Sequence, residues 1–156
     1  MNFLKTLLLA APLLTLLGHG AIAQTTAAPM AAATVNPDRA LFDALGGSPG
    51  LVKIADDFMP RLLADARLQP FFKDTNQTQF KASLVEQICM VSGGPCKYKG
   101  ADMKSAHSQM DISKGHFNAL VEVLQMSMRT QNVPFSVQNE LLARLAPMHR
   151  DVITVR

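Results

Sequence analysis

The chain has 156 residues, with 15 Lys and Arg against 12 Asp and Glu, which gives a formal net charge of +3 at pH 7. Without Lys5, which lies in a segment expected to be removed, the charge falls to +2. This imbalance is too small to indicate a basic surface for nucleic acid, and we expect no nucleic-acid partner.

Residues 1–23 are typical of a cleavable secretory signal peptide. Lys5 supplies the positive charge, residues 7–17 supply the apolar stretch, and Ala-Ile-Ala ending at Ala23 is an A-x-A cleavage site. The apolar stretch is too short to be a stable membrane span. We therefore expect an exported protein, periplasmic or secreted, whose mature chain begins at Gln24.

Residues 24–37 are mostly Ala, Thr and Pro and predict a flexible linker. Residues 38–156 then form a single domain, which is long enough to bury one core. The 9 Met and the absence of Trp in the chain favour an adaptable core that tolerates an apolar guest.

The first half of the domain predicts a short helical segment at residues 38–45 and then a long helix. The long helix is expected to have Ser48 as its N-cap with a proline next to it, and to run to about residue 64. Pro60 predicts a kink near Met59, because proline removes a backbone donor and clashes with the preceding turn.

Three further long helices are predicted from apolar residues at helical spacing. The first spans residues 75–92, the second begins after the cap Ser113, and the third begins near Ser136. A short segment that contains His107 lies between the first two of these. No strand pattern competes, so we predict an all-α domain with four main helices, a count that also fits an ordinary bundle.

The chain has only two cysteines, Cys89 and Cys96. An exported protein meets an oxidising compartment, so a disulfide between them is the expected state. Gly93-Gly94-Pro95 turns the chain back between them, and the closed loop would contribute about 2 kcal/mol in the chain-entropy model. The alternative is two free thiols, one buried and one on a loop.

A neutral imidazole is the commonest side-chain metal ligand, which makes His107 a candidate, although a lone histidine is more often structural. We expect His116 to be structural and His149 to be solvated. A zinc site from Cys89, Cys96, His107 and His116 is disfavoured, because the spacing matches no compact zinc motif and oxidation removes the thiolates.

Eight short motifs follow one another along the domain. They are LFDALGG from residue 41, DDF from 56, LxxFF from 68, GGP from 93, YxGxxMxxxH from 98, IxxxHF from 112, VP from 133 and APM from 146. Each is weak alone. In this order and at these distances, they resemble the group I truncated haemoglobins over about residues 41–152.

The resemblance implies an all-α fold, a two-over-two helical sandwich that encloses haem b. It implies that His107 is the proximal iron ligand and that Tyr98 lies near the haem propionates. The chain has no Cys-x-x-Cys-His motif, so we expect the haem to be held non-covalently. The apolar pocket positions implied by the resemblance are Phe58, Phe72, Met103, Leu120, Leu142 and Leu145.

The distal side departs from the family pattern. Many members have a tyrosine at the position of Met59 and often a glutamine at that of Leu84, whereas here Met59, Phe80 and Leu84 are all apolar. A lost hydrogen bond of roughly 1.5–3 kcal/mol corresponds to one to two powers of ten in oxygen affinity. Gln87, one turn after Leu84, is the nearest amide.

The resemblance therefore favours reversible binding of a diatomic gas: oxygen, nitric oxide or carbon monoxide. Three alternatives stay open. The first alternative is a haem enzyme, either a nitric oxide dioxygenase or a peroxidase-like enzyme. Such an enzyme would need a reductase or another electron donor. Met59 sulfur could also ligate the iron and give a His–Met electron-transfer site. The third alternative is a helical interaction module without haem.

Overall fold

The computed structural model describes residues 39–155. The predicted signal peptide and the predicted linker, residues 1–23 and 24–37, lie outside the described residues. Within residues 39–155 the regular structure is helical and contains no strand, which confirms the predicted all-α class.

The described part of the chain contains eight α-helices and one 3₁₀ turn. They are α1 (Ala40–Ala44), α2 (Gly47–Ala64), α3 (Gln69–Phe72), α4 (Gln77–Val91), α5 (Met103–His107), α6 (Lys114–Thr130), α7 (Phe135–Leu145), the 3₁₀ turn Ala146–Met148, and α8 (His149–Val152). The four long ones, α2, α4, α6 and α7, are the four main helices predicted from the sequence.

The start of α2 differs from the prediction that Ser48 is its N-cap. The N-cap is Gly46, with φ +85°, and Gly47 also has a positive φ of +61°. Because glycine adopts this left-handed conformation without steric cost, the chain turns from α1 into α2 within these two residues. Pro60 lies inside α2 and does not end it, since the helix continues to Ala64.

Two other helix starts also differ by one or two residues from the predictions. Helix α4 begins after Asn76, whose side chain accepts a hydrogen bond from the Gln79 backbone at 3.0 Å. Helix α7 begins at Phe135, directly after Pro134. The predicted cap at Ser113 is confirmed, because its hydroxyl accepts from the backbone N–H of His116 at 3.2 Å.

Helix α2 is the centre of the core and packs against both α4 and α6. Its side chains Leu51, Ile54 and Leu62 are completely buried. Burial of one such side chain stabilises a fold by about 1.5–3 kcal/mol. Helix α2 therefore contributes strongly to the stability of the core against which α4 and α6 pack. In the range 39–155, no helix has the length and apolar character needed to cross a membrane.

Candidate functional site

Helix α5, which carries His107, is held at its start by Asp102. The Asp102 carboxylate accepts hydrogen bonds from the Ser105 backbone N–H at 2.9 Å and from the Ser105 hydroxyl at 2.7 Å. These hydrogen bonds favour the ionised carboxylate and lower the pKa of Asp102 below its ordinary value. The cap lets five residues form a helix that ends at His107.

The imidazole of His107 is partly buried, and its Nδ1 atom lies 2.7 Å from the backbone carbonyl oxygen of Met103. A carbonyl oxygen only accepts hydrogen bonds, so the ring proton belongs on Nδ1 and the lone pair on Nε2. Histidines that ligate metals commonly donate their second ring N–H to such an acceptor. The geometry therefore prepares Nε2 of His107 for a metal.

Helices α4 and α5 contribute few fully buried residues, although α4 packs against α2. Of the 15 residues of α4 only Ile88 and Cys89 are buried, and α5 buries none, whereas α2 buries six residues and α6 buries five. Apolar side chains of α4 and α5, including Phe80, Leu84 and Met103, remain only partly buried. Their apolar face is thus incompletely covered and fits an additional apolar group such as a porphyrin.

The structure places the predicted pocket residues in two zones. Phe58 and Met59 of α2 are buried in the core, with exposures of 1% and 2%. The partly buried zone packs against that core and contains Phe72, Phe80, Leu84, Leu120, Leu142 and Leu145. The rings of Phe72 and Phe80 meet edge-to-face with centroids 5.2 Å apart, so α3 and α4 join there.

Gln87 has a role that was not predicted from the sequence. Its Nε2 atom lies 3.2 Å from the sulfur of Met103 and 3.3 Å from the sulfur of Met148, so one amide joins α4 to α5 and to the 3₁₀ turn. The signal available in the sequence was its spacing from Leu84. Gln87 lies one helical turn later, so the two residues are neighbours on the surface of α4. Thioether sulfur is a weak acceptor.

A comparison with protein families gives a match to the model described as "Bacterial-like globin", over residues 40–154. The chain belongs to this globin family. The match includes every helix described above. Membership implies a haem-binding globin, and the apolar face of α4 and α5 is consistent with that.

Individual relatives of this globin are group 1 truncated haemoglobins. The protein of that name from Mycolicibacterium paratuberculosis is 32% identical over 114 residues, which cover 73% of this chain and 84% of the relative. The one from Tetrahymena pyriformis is 29% identical over 119 residues, which cover 76% of this chain and 98% of the relative.

Solved structures show the same fold. The Fe(III) form of the Tetrahymena pyriformis truncated haemoglobin matches this globin with a TM-score of 0.70 and 29% identity, and the match covers 72% of this chain and 97% of that one. A Synechococcus 2/2 haemoglobin with covalently attached haem matches with a TM-score of 0.68 and 24% identity, over 74% and 98% of the two chains. The two-over-two globin fold is thereby confirmed.

The other two histidines of the described range have structural contacts in this globin. His116 completes a capping box with Ser113, and its ring meets that of Phe71 with centroids 4.8 Å apart, which agrees with a structural role. His149 is partly buried, with its ring centroid 5.4 Å from that of Phe117, and it also lines an open surface groove, so it is solvated only in part. Within residues 39–155, no three His, Cys, Asp or Glu side chains are grouped to hold a metal ion.

Cys89 and Cys96 form a pair in the structure, with Cα atoms 5.8 Å apart, a separation that suits a disulfide. Cys89 is fully buried near the end of α4, and Cys96 lies on the segment that leads to α5. The pair therefore connects the end of α4 to the segment that leads to α5, and these two helices of the globin carry the candidate haem face.

Tyr98 is partly buried, and its ring lies against Gly100, where a Cβ atom would collide with the tyrosine hydroxyl. Its contact with propionates stays a prediction. Two open surface grooves lie elsewhere, one between the start of α6 and the C-terminal segment and one between the α1–α2 and α6–α7 turns. No predicted pocket residue lines either groove, so we assign neither to the haem.

Proposed function

We propose that this protein is an exported truncated globin that holds haem b non-covalently through His107 and reversibly binds a diatomic gas. The observation that carries the proposal is the 2.7 Å contact between Nδ1 of His107 and the carbonyl of Met103. It leaves Nε2 as the free ligand atom, on a short helix beside an incompletely covered apolar face.

Apolar side chains of α3, α4, α5 and α7 would hold the porphyrin by burying it. Phe72 and Phe80 support each other edge-to-face, while Met103 and Leu142 are partly buried side chains that a flat apolar group would cover. When bound, haem supplies an iron atom with a coordination position for oxygen, nitric oxide or carbon monoxide. The chain's contribution is to orient one imidazole and to exclude water.

The distal candidates favour reversible binding over gas chemistry. Met59, Phe80 and Leu84 carry no hydrogen-bond donor, and the amide of Gln87 is directed at two sulfur atoms. Without a donor, oxygen should be retained less well than by relatives with polar distal groups, by roughly one to two powers of ten. Nitric oxide dioxygenation requires retained oxygen and an electron donor, so it is disfavoured.

Spectroscopy of the haem-reconstituted protein tests the proposal. We expect a Soret band that is lost in His107→Ala and partly restored by free imidazole in His107→Gly. His149→Ala, which also removes a partly buried imidazole, is the matched control and should keep the band. A colourless wild type, or an unchanged spectrum in His107→Ala, would refute the proposal.

The export part of the proposal is supported by the sequence pattern of residues 1–23, and it agrees with the close approach of Cys89 and Cys96. Mass spectrometry of the protein purified from a periplasmic fraction should find an N-terminus at Gln24. An intact N-terminus on cytoplasmic protein would contradict export without affecting the haem proposal.

A further inference from the structure

The C-terminal segment of the domain returns to the helix that carries His107. Helix α8 packs against α5, and residues 153–155 follow it without regular secondary structure, beginning with an extended Ile153. The segment thereby reaches the loop that connects α5 to α6. This loop, residues 108–113, is the only covalent path from His107 to the long helix α6.

Three hydrogen bonds join the segment to this loop at one residue, Ile112. The backbone N–H of Ile112 donates to the Thr154 hydroxyl at 2.7 Å. The Ile112 carbonyl accepts from the backbone N–H groups of Thr154 and Val155, at 2.9 Å and 3.1 Å. Both backbone groups of Ile112 are therefore satisfied by the C-terminal segment.

The loop needs such support, because its backbone is strained beside Ile112. Asp111 has a φ of +48°, a left-handed conformation that is unfavourable for a residue with a side chain. Ile112 itself is only 7% exposed, so water cannot readily replace the Thr154 hydroxyl as a partner for its N–H group. On the other side of Ile112, the Ser113 capping box fixes the start of α6.

We infer that Thr154 is a positioning residue for the proximal histidine: its hydroxyl fixes Ile112 and, through the strained loop, the angle at which His107 presents Nε2. This inference rests on the proposed function of His107 as the iron ligand. Thr154 touches the loop and acts on the imidazole only through it. Serine can replace it as the acceptor, whereas valine has the same shape and cannot.

The first arm of the test uses the full chain without haem. Amide hydrogen exchange at Ile112 should become roughly tenfold faster in Thr154→Val, because a buried N–H group loses its partner. Thr154→Ser should exchange like the wild type. Thr130→Val is the matched control, since Thr130 also has a hydrogen-bonded hydroxyl but lies at the far end of α6. Unchanged exchange in Thr154→Val would overturn the inference.

The second arm uses the haem-loaded full chain. In Thr154→Val we expect a shifted iron–histidine stretching frequency and haem transfer to an acceptor protein that is several-fold faster, with both values restored in Thr154→Ser. Faster Ile112 exchange with an unchanged frequency and transfer rate would show a structural contact only and would overturn the positioning role. Failure of the proposed function is separate, because it would appear as a colourless wild type or as colour that survives His107→Ala.

Discussion

The Nδ1 atom of His107 lies 2.7 Å from the carbonyl oxygen of Met103, one helical turn earlier in the same short helix. The acceptor belongs to the backbone, so the orientation of the imidazole depends on α5 remaining helical. A five-residue helix has little intrinsic stability. The residues that hold its two ends therefore matter for the proposed iron ligand.

The cap of α5 predicts a pH dependence. Asp102→Ala should loosen α5 and speed haem loss several-fold, whereas Asp102→Asn, which keeps an acceptor, should lose haem at nearly the wild-type rate. The pKa of Asp102 is lowered in the folded state, first by the Ser105 hydroxyl and then by the Ser105 backbone. Its stabilising contribution is therefore present above the unfolded pKa and lost as the pH falls through the folded value.

Haem-transfer rates measured from neutral pH to below pH 3.8, the ordinary value for this carboxyl, would test the prediction. In the wild type, the stabilisation of α5 by the Asp102 carboxylate should be lost in that acid range. Asp102→Asn has no carboxyl at this position, so its cap should not change with pH. Parallel profiles for these two proteins would contradict the assignment.

An amide introduced at Leu84 should change oxygen binding. In Leu84→Gln the new N–H donor could stabilise the bound gas, and oxygen dissociation should slow by about one to two powers of ten. Carbon monoxide, which is less polarised, should respond much less and serves as the internal control in stopped-flow measurements. Equal changes for both gases would indicate a steric effect and would count against a hydrogen bond from this position to the bound gas.

Whether Met59 would also ligate the iron can be tested by substitution of this buried residue, which is 2% exposed. Met59→Leu conserves volume and should cost less than about 1.5 kcal/mol of stability. If the pocket is five-coordinate, the ferrous spectrum should be unchanged. Conversion of a six-coordinate, low-spin spectrum to a five-coordinate one in this variant would instead establish His–Met coordination.

The pair Cys89 and Cys96 should stabilise the domain. Cys96→Ser opens the loop at its less buried end and should lower the free energy of unfolding by about 2 kcal/mol. For a domain of this size the loss corresponds to a fall in melting temperature on the order of 8 °C. Calorimetry would measure it, and a reductant should have no further effect on the variant. Two titratable thiols in the purified wild type would favour the free-thiol alternative.

Most of the fold could be predicted from the sequence because its signals are local. The apolar spacing in α2, α4, α6 and α7 indicated the four main helices, and the Ser113 cap was correctly assigned. The start of α2 was wrong because Gly46 and Gly47 adopt positive φ values, which allow an earlier start than a side-chain cap requires. The ring contact between His149 and Phe117 joins distant residues, and spacing along the chain does not reveal it.

By itself, the sequence determined the series of motifs that resembles the truncated haemoglobins, the all-helical class, and His107 as the candidate iron ligand. Each of these depends on residue types at fixed separations along one chain. The tertiary structure decided which distant groups hold α5 and the loop after it: the Gln87 amide contacts the sulfur atoms of Met103 and Met148, and the Thr154 hydroxyl contacts Ile112. The physical reason is that hydrogen bonds at 2.7–3.3 Å require particular backbone directions, and folding sets these directions between residues up to 61 positions apart.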